Sequence, residues 1–118
     1  MAEITRIGMA KRYSEAAIHN GVVYTAGQVA EKTLDQGIEA QTAEVLTMID
    51  RVLANCGSDK SRLLRVQIFL ADLADYDGMN KVWDAWVVPG AAPPRATVEA
   101  KLARQAYRVE IVVTAAQA

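Results

Sequence analysis

Apolar residues in the first third of the chain follow a pattern typical of β-strands. Residues 16–19 and 22–26 are rich in apolar and β-branched side chains, and Asn20-Gly21 lies between them. Asn-Gly favours a type I′ turn, because both central residues of that turn need a positive φ angle. We therefore predict a β-hairpin here, with a further short strand over residues 4–7 before it.

Helical spacing then predicts a first helix, and strand spacing follows it. The apolar face of this helix comprises Ile38, Val45, Met48, Ile49, Val52 and Leu53. Gly57 is placed to end it. In the next segment the side chains alternate, with Leu64, Val66, Ile68 and Leu70 on one side and Arg65, Gln67 and Phe69 on the other. This alternation predicts a strand after the first helix.

A second helix is predicted from Met79, Val82, Trp83 and Trp86, which recur at intervals of three or four residues. Asp75 is a plausible N-cap for it, and Pro89-Gly90 stops it. The two tryptophans could stack on a ligand or pack in the core, and the helical spacing favours core packing against the sheet.

The last quarter of the chain carries charges within two strand-like runs. Arg95 opens residues 95–100, and Glu110 lies inside residues 108–113. The element order is then β-β-β-α-β-α-β-β. This order predicts an α+β fold, a mixed sheet of about six strands with two helices on one face.

Alternation assigns a mixed set of residues to the sheet face that the helices leave uncovered. The set comprises Arg65, Gln67, Phe69, Thr97, Glu99, Arg108, Glu110 and Val112. Such a surface suits a subunit interface that contains polar sites. A solvated sheet face is the other interpretation, and the pattern leaves both open.

The two charged runs are predicted to form a second hairpin, with a loop near residues 102–105. Glu110 then lies across from Arg95 or Thr97. The pair is either a cross-strand ion pair, worth about 0.2–1 kcal/mol, or part of a site. In a site, the planar guanidinium of Arg95 would grip a carboxylate with two hydrogen bonds, and Glu110 would hold or activate a water. Pro93-Pro94 gives a rigid, extended entry to the strand.

Composition narrows the function classes. With 118 residues and 52% hydrophobic residues, we expect one globular domain over residues 1–118. The net charge of −1 gives no reason to expect nucleic-acid binding. No apolar stretch approaches the roughly 18 residues that span a bilayer, so we expect a cytoplasmic protein without a membrane partner. Cys56 and His19 are the only residues of their types, which argues against a His/Cys metal site.

The chain resembles the RidA/YjgF family of reactive-intermediate (enamine/imine) deaminases over almost its whole length. The segments that carry this resemblance are Tyr13-Ser14-Glu15-Ala16, Thr25-Ala26-Gly27-Gln28, and residues 38–42, 68–72, 94–99 and 109–111. Residues 79–88 are most similar to the YoaB-like branch.

This resemblance implies a homotrimer of subunits with a fold like bacterial chorismate mutase, with three clefts between the subunits. It implies that Arg95 binds the substrate carboxylate and that Glu110 positions the hydrolytic water. Tyr13 and Gly27 would line the cleft, and Thr97 would offer a hydroxyl. The implied reaction is hydrolysis of 2-aminoacrylate and related imines, made by pyridoxal-phosphate enzymes, to 2-keto acids and ammonia. Neither a metal nor an organic cofactor is expected.

Some positions depart from the family pattern. Ala26 replaces a frequent serine, Thr97 replaces a frequent cysteine, Lys11-Arg12 replaces the usual Gly-Pro, and the loop after Gln28 is shorter than is typical. These departures leave a second hypothesis open, a non-catalytic protein that binds small keto or amino acids. RNA cleavage, attributed to some relatives, gains no support from a pI of about 5.8.

Overall fold

The structure, a computed structural model, describes residues 2–118. Its strands are β1 (Thr5–Ile7), β2 (Ala16–His19), β3 (Val22–Thr25), β4 (Leu63–Leu70), β5 (Arg95–Glu99) and β6 (Val109–Ala116). The helices are α1 (Ile38–Asn55) and α2 (Tyr76–Trp86), with short 3₁₀ turns at Lys60–Arg62 and Leu73–Asp75. The strands form one sheet in the order β1-β2-β3-β6-β4-β5. The predicted element order and the mixed six-stranded sheet are confirmed.

The predicted N-terminal hairpin is also confirmed. β2 and β3 pair antiparallel around Asn20 and Gly21, whose φ angles are 51° and 75°. Positive φ at both positions is the geometry that Asn-Gly tolerates and that most residues avoid. β1 adds a third antiparallel strand beside β2.

One face of the sheet is covered by both helices, and the core lies between the two layers. α1 contributes Val45, Leu46, Ile49, Val52 and Leu53 to this core, and α2 contributes Met79 and Trp83. Each fully buried aliphatic side chain stabilises the fold by about 1.5–3 kcal/mol relative to exposure. Trp83 therefore has the core role that its spacing favours. Among residues 2–118, no helix combines the length and apolar character needed to cross a membrane.

One detail of the predicted strand after α1 is wrong. Leu64 was expected on the apolar side, but it is 46% exposed and Leu63 is buried instead. The pairing of β4 with β6 shifts between Leu63 and Arg65, which is a β-bulge. A bulge inserts one residue and moves the following side chains to the opposite face.

The predicted second hairpin is wrong. β5 pairs in parallel with β4, and β6 pairs antiparallel with both β3 and β4. Residues 100–108 carry the chain past β4 to the centre of the sheet. The physical reason is that β6 buries Val109, Ile111, Val113 and Ala115 under the helices, which favours a central position. With two neighbours, its backbone groups can pair on both sides.

This topology also changes the predicted faces. Arg95, Thr97 and Glu99 align with Val66, Ile68 and Leu70, the buried residues of β4, so they lie on the helix-covered face. The assignment of Thr97 and Glu99 to the uncovered face is wrong. Arg108 precedes β6 and donates a hydrogen bond to Asp75 beside α2. The remaining members of the set, Arg65, Gln67, Phe69, Glu110 and Val112, alternate with buried residues and lie on the uncovered face.

Candidate functional site

Tyr13 and Gly27 line the same cavity. This cavity has a volume of about 230 Å³ and opens to solvent. Tyr13 is 67% exposed, and its carbonyl accepts a hydrogen bond from the Ala10 N–H at 2.8 Å, which closes a short loop. The phenol therefore stands at the surface, where it can contact a ligand or a second chain.

The strand leading to Gly27 is irregular, and Thr25 compensates for the irregularity. β3 pairs residue by residue with β6 up to Tyr24, and pairing resumes one residue out of step where Gln28 meets Ile111. Between these points the Thr25 hydroxyl donates to the Val113 carbonyl at 3.3 Å and accepts from the Val113 N–H at 3.1 Å. This side chain replaces the missing ladder bonds, so the extra residue is tolerated at a strand end that lines the cavity.

Glu110 lies directly against Gly27. A Cβ atom at position 27 would come within 2.8 Å of Cδ of Glu110 and 3.1 Å of its Cγ. Any side chain at position 27 would therefore displace the carboxylate. Glu110 is not among the residues that line the cavity with Tyr13, so Gly27 is the residue that the two share. We call Tyr13, Gly27 and Glu110 the acidic half-site.

Arg95 lies elsewhere, between the start of β5 and helix α2. Its Nη1 donates to Oδ1 of Asn80 at 2.7 Å. Its Cζ lies 5.1 Å from the ring centroid of Trp83 and 5.9 Å from that of Tyr76. The start of β5 is fixed where the Pro94 carbonyl accepts from the Val66 N–H at 3.0 Å. Arg95 and Thr97 form the arginine half-site.

Thr97 follows Arg95 by two residues on the same face of β5. Its hydroxyl oxygen is buried and has no hydrogen-bond partner among residues 2–118. A buried hydroxyl without a partner costs free energy, and such groups are rare in folded proteins. Within one chain the hydrogen-bonding capacity of the Thr97 hydroxyl is therefore unused.

The two half-sites are not brought together within one chain. β4 lies between β5 and β6, and Arg95 aligns through Val66 with Val113 rather than with Glu110. The two side chains also belong to opposite faces of the sheet. The expectation that Arg95 and Glu110 stand within one pleat of each other is wrong, because it rested on the hairpin that does not form.

Three neighbours of Arg95 were not identified as site residues from the sequence. Tyr76, Asn80 and Trp83 all belong to α2 and surround the guanidinium. Their spacings of four and three residues place them on one helix face, which is a readable signal. The missing information was that this face meets β5.

Comparison with known proteins places the chain in a family. The family model described as Endoribonuclease L-PSP matches residues 3–117. A RutC family protein from Haemophilus ducreyi is 50% identical over 113 residues, covering 96% of each chain. The chain belongs to the RidA/YjgF family. The RutC family protein YoaB of Escherichia coli is 48% identical and covers 96% of this chain and 97% of its own.

Solved structures show the same fold as this RidA/YjgF protein. An uncharacterized protein from Pseudomonas aeruginosa superposes with a TM-score of 0.94 at 43% identity, covering 98% of this chain and all of that one. A member of the YjgF family from Neisseria meningitidis gives a TM-score of 0.90 at 48% identity, covering 98% and 96%. The resemblance read from the motifs is confirmed, including its YoaB-like character.

In this RidA/YjgF protein the short loop after Gln28 is fixed by one carboxylate from α1. Glu44 accepts hydrogen bonds of 2.9–3.1 Å from the backbone N–H groups of Glu31, Lys32 and Thr33, and one of 2.7 Å from the Thr33 hydroxyl. Desolvation opposes ionisation, but these bonds outweigh it and lower the pKa of Glu44 below its ordinary value. The loop that borders the acidic half-site is therefore anchored to the helix layer.

Proposed function

We propose that the protein hydrolyses reactive enamine and imine intermediates, such as 2-aminoacrylate, to 2-keto acids and ammonia. The observation that carries this proposal is the state of Arg95. Its guanidinium is half-buried, its charge faces no carboxylate within 4.0 Å among residues 2–118, and it keeps unused N–H donors. Such a group is suited to bind a small carboxylate.

For this reaction the main task of the protein is to orient the substrate and the attacking water. The imine tautomer of 2-aminoacrylate is electrophilic at its C=N carbon. With the acid held by Arg95, Glu110 accepts a proton from water as the water oxygen bonds to that carbon. That proton passes to nitrogen and gives a carbinolamine. Glu110 then takes the hydroxyl proton of the carbinolamine and returns it to nitrogen as the C=O bond forms and the C–N bond breaks, which releases pyruvate and ammonia. Tyr13 and Gly27 line the cleft beside the reacting atoms.

Since one chain separates the two half-sites, we propose that a homotrimer joins them. In each cleft the arginine half-site of one subunit would face the acidic half-site of its neighbour. The uncovered sheet face supports this assembly, because Phe69 and Val112 lie beside Glu110 on it and are only half-buried within one chain. Such a mixture of apolar and polar groups suits a subunit interface.

Thr97 is proposed as an additional substrate contact. Its unused hydroxyl lies on the same strand face as Arg95. Since this oxygen is covered within one chain, rotation about χ1 must turn it toward the substrate.

The direct test generates 2-aminoacrylate with a lyase and follows pyruvate and ammonia. The wild-type protein should accelerate both above the spontaneous rate, and Arg95→Ala should remove most of this acceleration, about 100-fold or more. Glu110→Gln should fold normally and lose activity. The proposal fails if the wild type gives no acceleration or if Arg95→Ala keeps full activity.

A second candidate function is non-catalytic binding of small keto or amino acids in the same clefts. The observation that favours it is the loss of polar contacts, since Ala26 offers no hydroxyl and that of Thr97 is covered. Calorimetry with 2-ketobutyrate, alongside the turnover assay, separates the two functions. Binding without turnover supports the second, and absence of any carboxylate binding excludes it.

A further inference from the structure

The guanidinium of Arg95 is confined at one end. Nη1 donates to Oδ1 of Asn80 at 2.7 Å and lies 4.0 Å from Sδ of Met79. Nη2 donates to Oη of Tyr76 at 3.4 Å, a long hydrogen bond. These contacts all come from α2, so the helix decides which way the planar group faces.

Two aromatic rings also hold the guanidinium. The Trp83 centroid lies 5.1 Å from Cζ of Arg95 and the Tyr76 centroid 5.9 Å from it, both within range of a cation–π interaction. Trp83 is only 6% exposed and belongs to the core, so its ring is a rigid wall. Tyr76 is 42% exposed and forms the outer contact.

This arrangement leaves one edge of the guanidinium unused. Arginine has five N–H donors in a fixed plane. Nη1 contacts Asn80 and Met79, and Nη2 donates one long hydrogen bond to Tyr76. Nε has no partner among residues 2–118, and Nη2 has one bond for its two N–H groups. The Nε–H and the Nη2–H beside it are parallel in any arginine and match the two oxygens of a carboxylate.

We propose that Tyr76 and Trp83 are positioning residues, which fix Arg95 so that its Nε/Nη2 edge binds the substrate carboxylate side-on. This inference rests on the proposed function, in which Arg95 binds that carboxylate. The two residues touch the arginine and not the reacting atoms. Their loss should therefore weaken carboxylate binding more than it slows the chemical step.

The decisive variants are at Tyr76, because this residue is exposed enough to change without disturbing the core. In the 2-aminoacrylate assay, Tyr76→Leu should raise KM roughly tenfold and change kcat much less, since ring and hydroxyl are both lost. Tyr76→Phe keeps the ring and should recover most of the difference. Trp83→Phe should also raise KM, with urea unfolding confirming that the variant is folded.

Trp86→Phe is the matched control. Trp86 lies on the same helix with its ring 5.4 Å from that of Trp83, but its indole N–H bonds to Asp50 rather than contacting Arg95. Its replacement should leave KM unchanged. An unchanged KM in Tyr76→Leu, or an equal rise in Trp86→Phe, would overturn the proposal.

A readout on the free protein separates this inference from the proposed function. The Arg95 Nη1 and Nη2 resonances, identified by their absence in Arg95→Lys, should be separate in the wild type, because the contacts with Asn80 and Tyr76 slow rotation about the Cζ–Nε bond. Exchange between these two resonances should be faster in Tyr76→Leu. Adding pyruvate should shift the Nε–H resonance. If the wild type neither turns over 2-aminoacrylate nor binds pyruvate, the proposed function fails, and exchange still tests the positioning. Equal exchange in wild type and Tyr76→Leu refutes the positioning role itself.

Discussion

At the scale of single residues, Gly27 and Glu110 show how close packing can define a site. The backbone at Gly27 approaches the Glu110 carboxyl so closely that no side chain fits between them. The two hydrogen bonds between the Thr25 hydroxyl and the backbone of Val113 keep this strand end in place. The carboxylate thus has a defined position without any ion pair to hold it among residues 2–118.

Gly27→Ala should separate activity from stability. The three atoms nearest to the added methyl all belong to the flexible side chain of Glu110, which can move aside, so the free energy of unfolding should change by about 1 kcal/mol or less. The displaced carboxylate should reduce kcat/KM roughly 100-fold. Turnover of 2-aminoacrylate and urea unfolding measure the two effects.

Gly37→Ala is the matched control for this substitution. A Cβ atom at position 37 has no neighbour within 4 Å, and the backbone there has a φ of −80°. Activity should stay at the wild-type level. Equal loss in both variants, or full activity in Gly27→Ala, would refute the importance of the close approach.

At the scale of elements, helices and strands were readable from the sequence, but their partners were not. The period of α1 and the Asn20-Gly21 turn are local signals, and both predictions are confirmed. The pairing of β6 with β3 and β4 is non-local. No turn residue in 100–108 indicates that the chain passes β4 before β6 begins. Because this connection could not be predicted from the sequence, the expectation that Arg95 and Glu110 lie within one pleat was also wrong.

The anchoring of the loop after Gln28 by α1 gives a pH-dependent prediction. The pKa of Glu44 is lower in the folded than in the unfolded protein. Its stabilising contribution is therefore present above the ordinary pKa of about 4.5 and is lost as the pH falls through the folded-state value. Glu44→Gln should cost about 1–2 kcal/mol at pH 7, because an amide offers only one acceptor oxygen to these donors.

Urea unfolding at pH 7 and at pH 3 measures this effect. The difference between wild type and Glu44→Gln should shrink at the lower pH. Glu39→Gln on the same helix is the control, since Glu39, in the first turn of α1, forms an exposed ion pair with Lys81 at 3.4 Å and accepts no backbone N–H among residues 2–118. A difference that is constant with pH would show that the Glu44 charge is not what anchors the loop.

At the scale of the whole molecule, the separation of the half-sites predicts complementation between inactive variants. Arg95→Ala retains a good acidic half-site, and Glu110→Gln retains a good arginine half-site. Refolding the two together in equal amounts should produce mixed trimers in which about a quarter of the clefts are intact. Activity per chain should recover to about that fraction of the wild type.

The control mixes Glu110→Gln with Gly27→Ala, which damage the same half-site. This mixture should show no recovery beyond the residual activity of its components. Failure of the first mixture to recover, with trimers confirmed by light scattering, would mean that the clefts are not shared between subunits.

The central position of β6 has a consequence for synthesis on the ribosome. Until residues 109–116 have emerged, a nascent chain holds β1-β2-β3 and β4-β5 as two separate pieces of sheet, each with an edge that only β6 can fill. We expect the sheet to close late, with its most non-local pairing as the final step. Before that step, the open edges of β3 and β4 are the surfaces most exposed to misassembly with other chains or to capture by a chaperone.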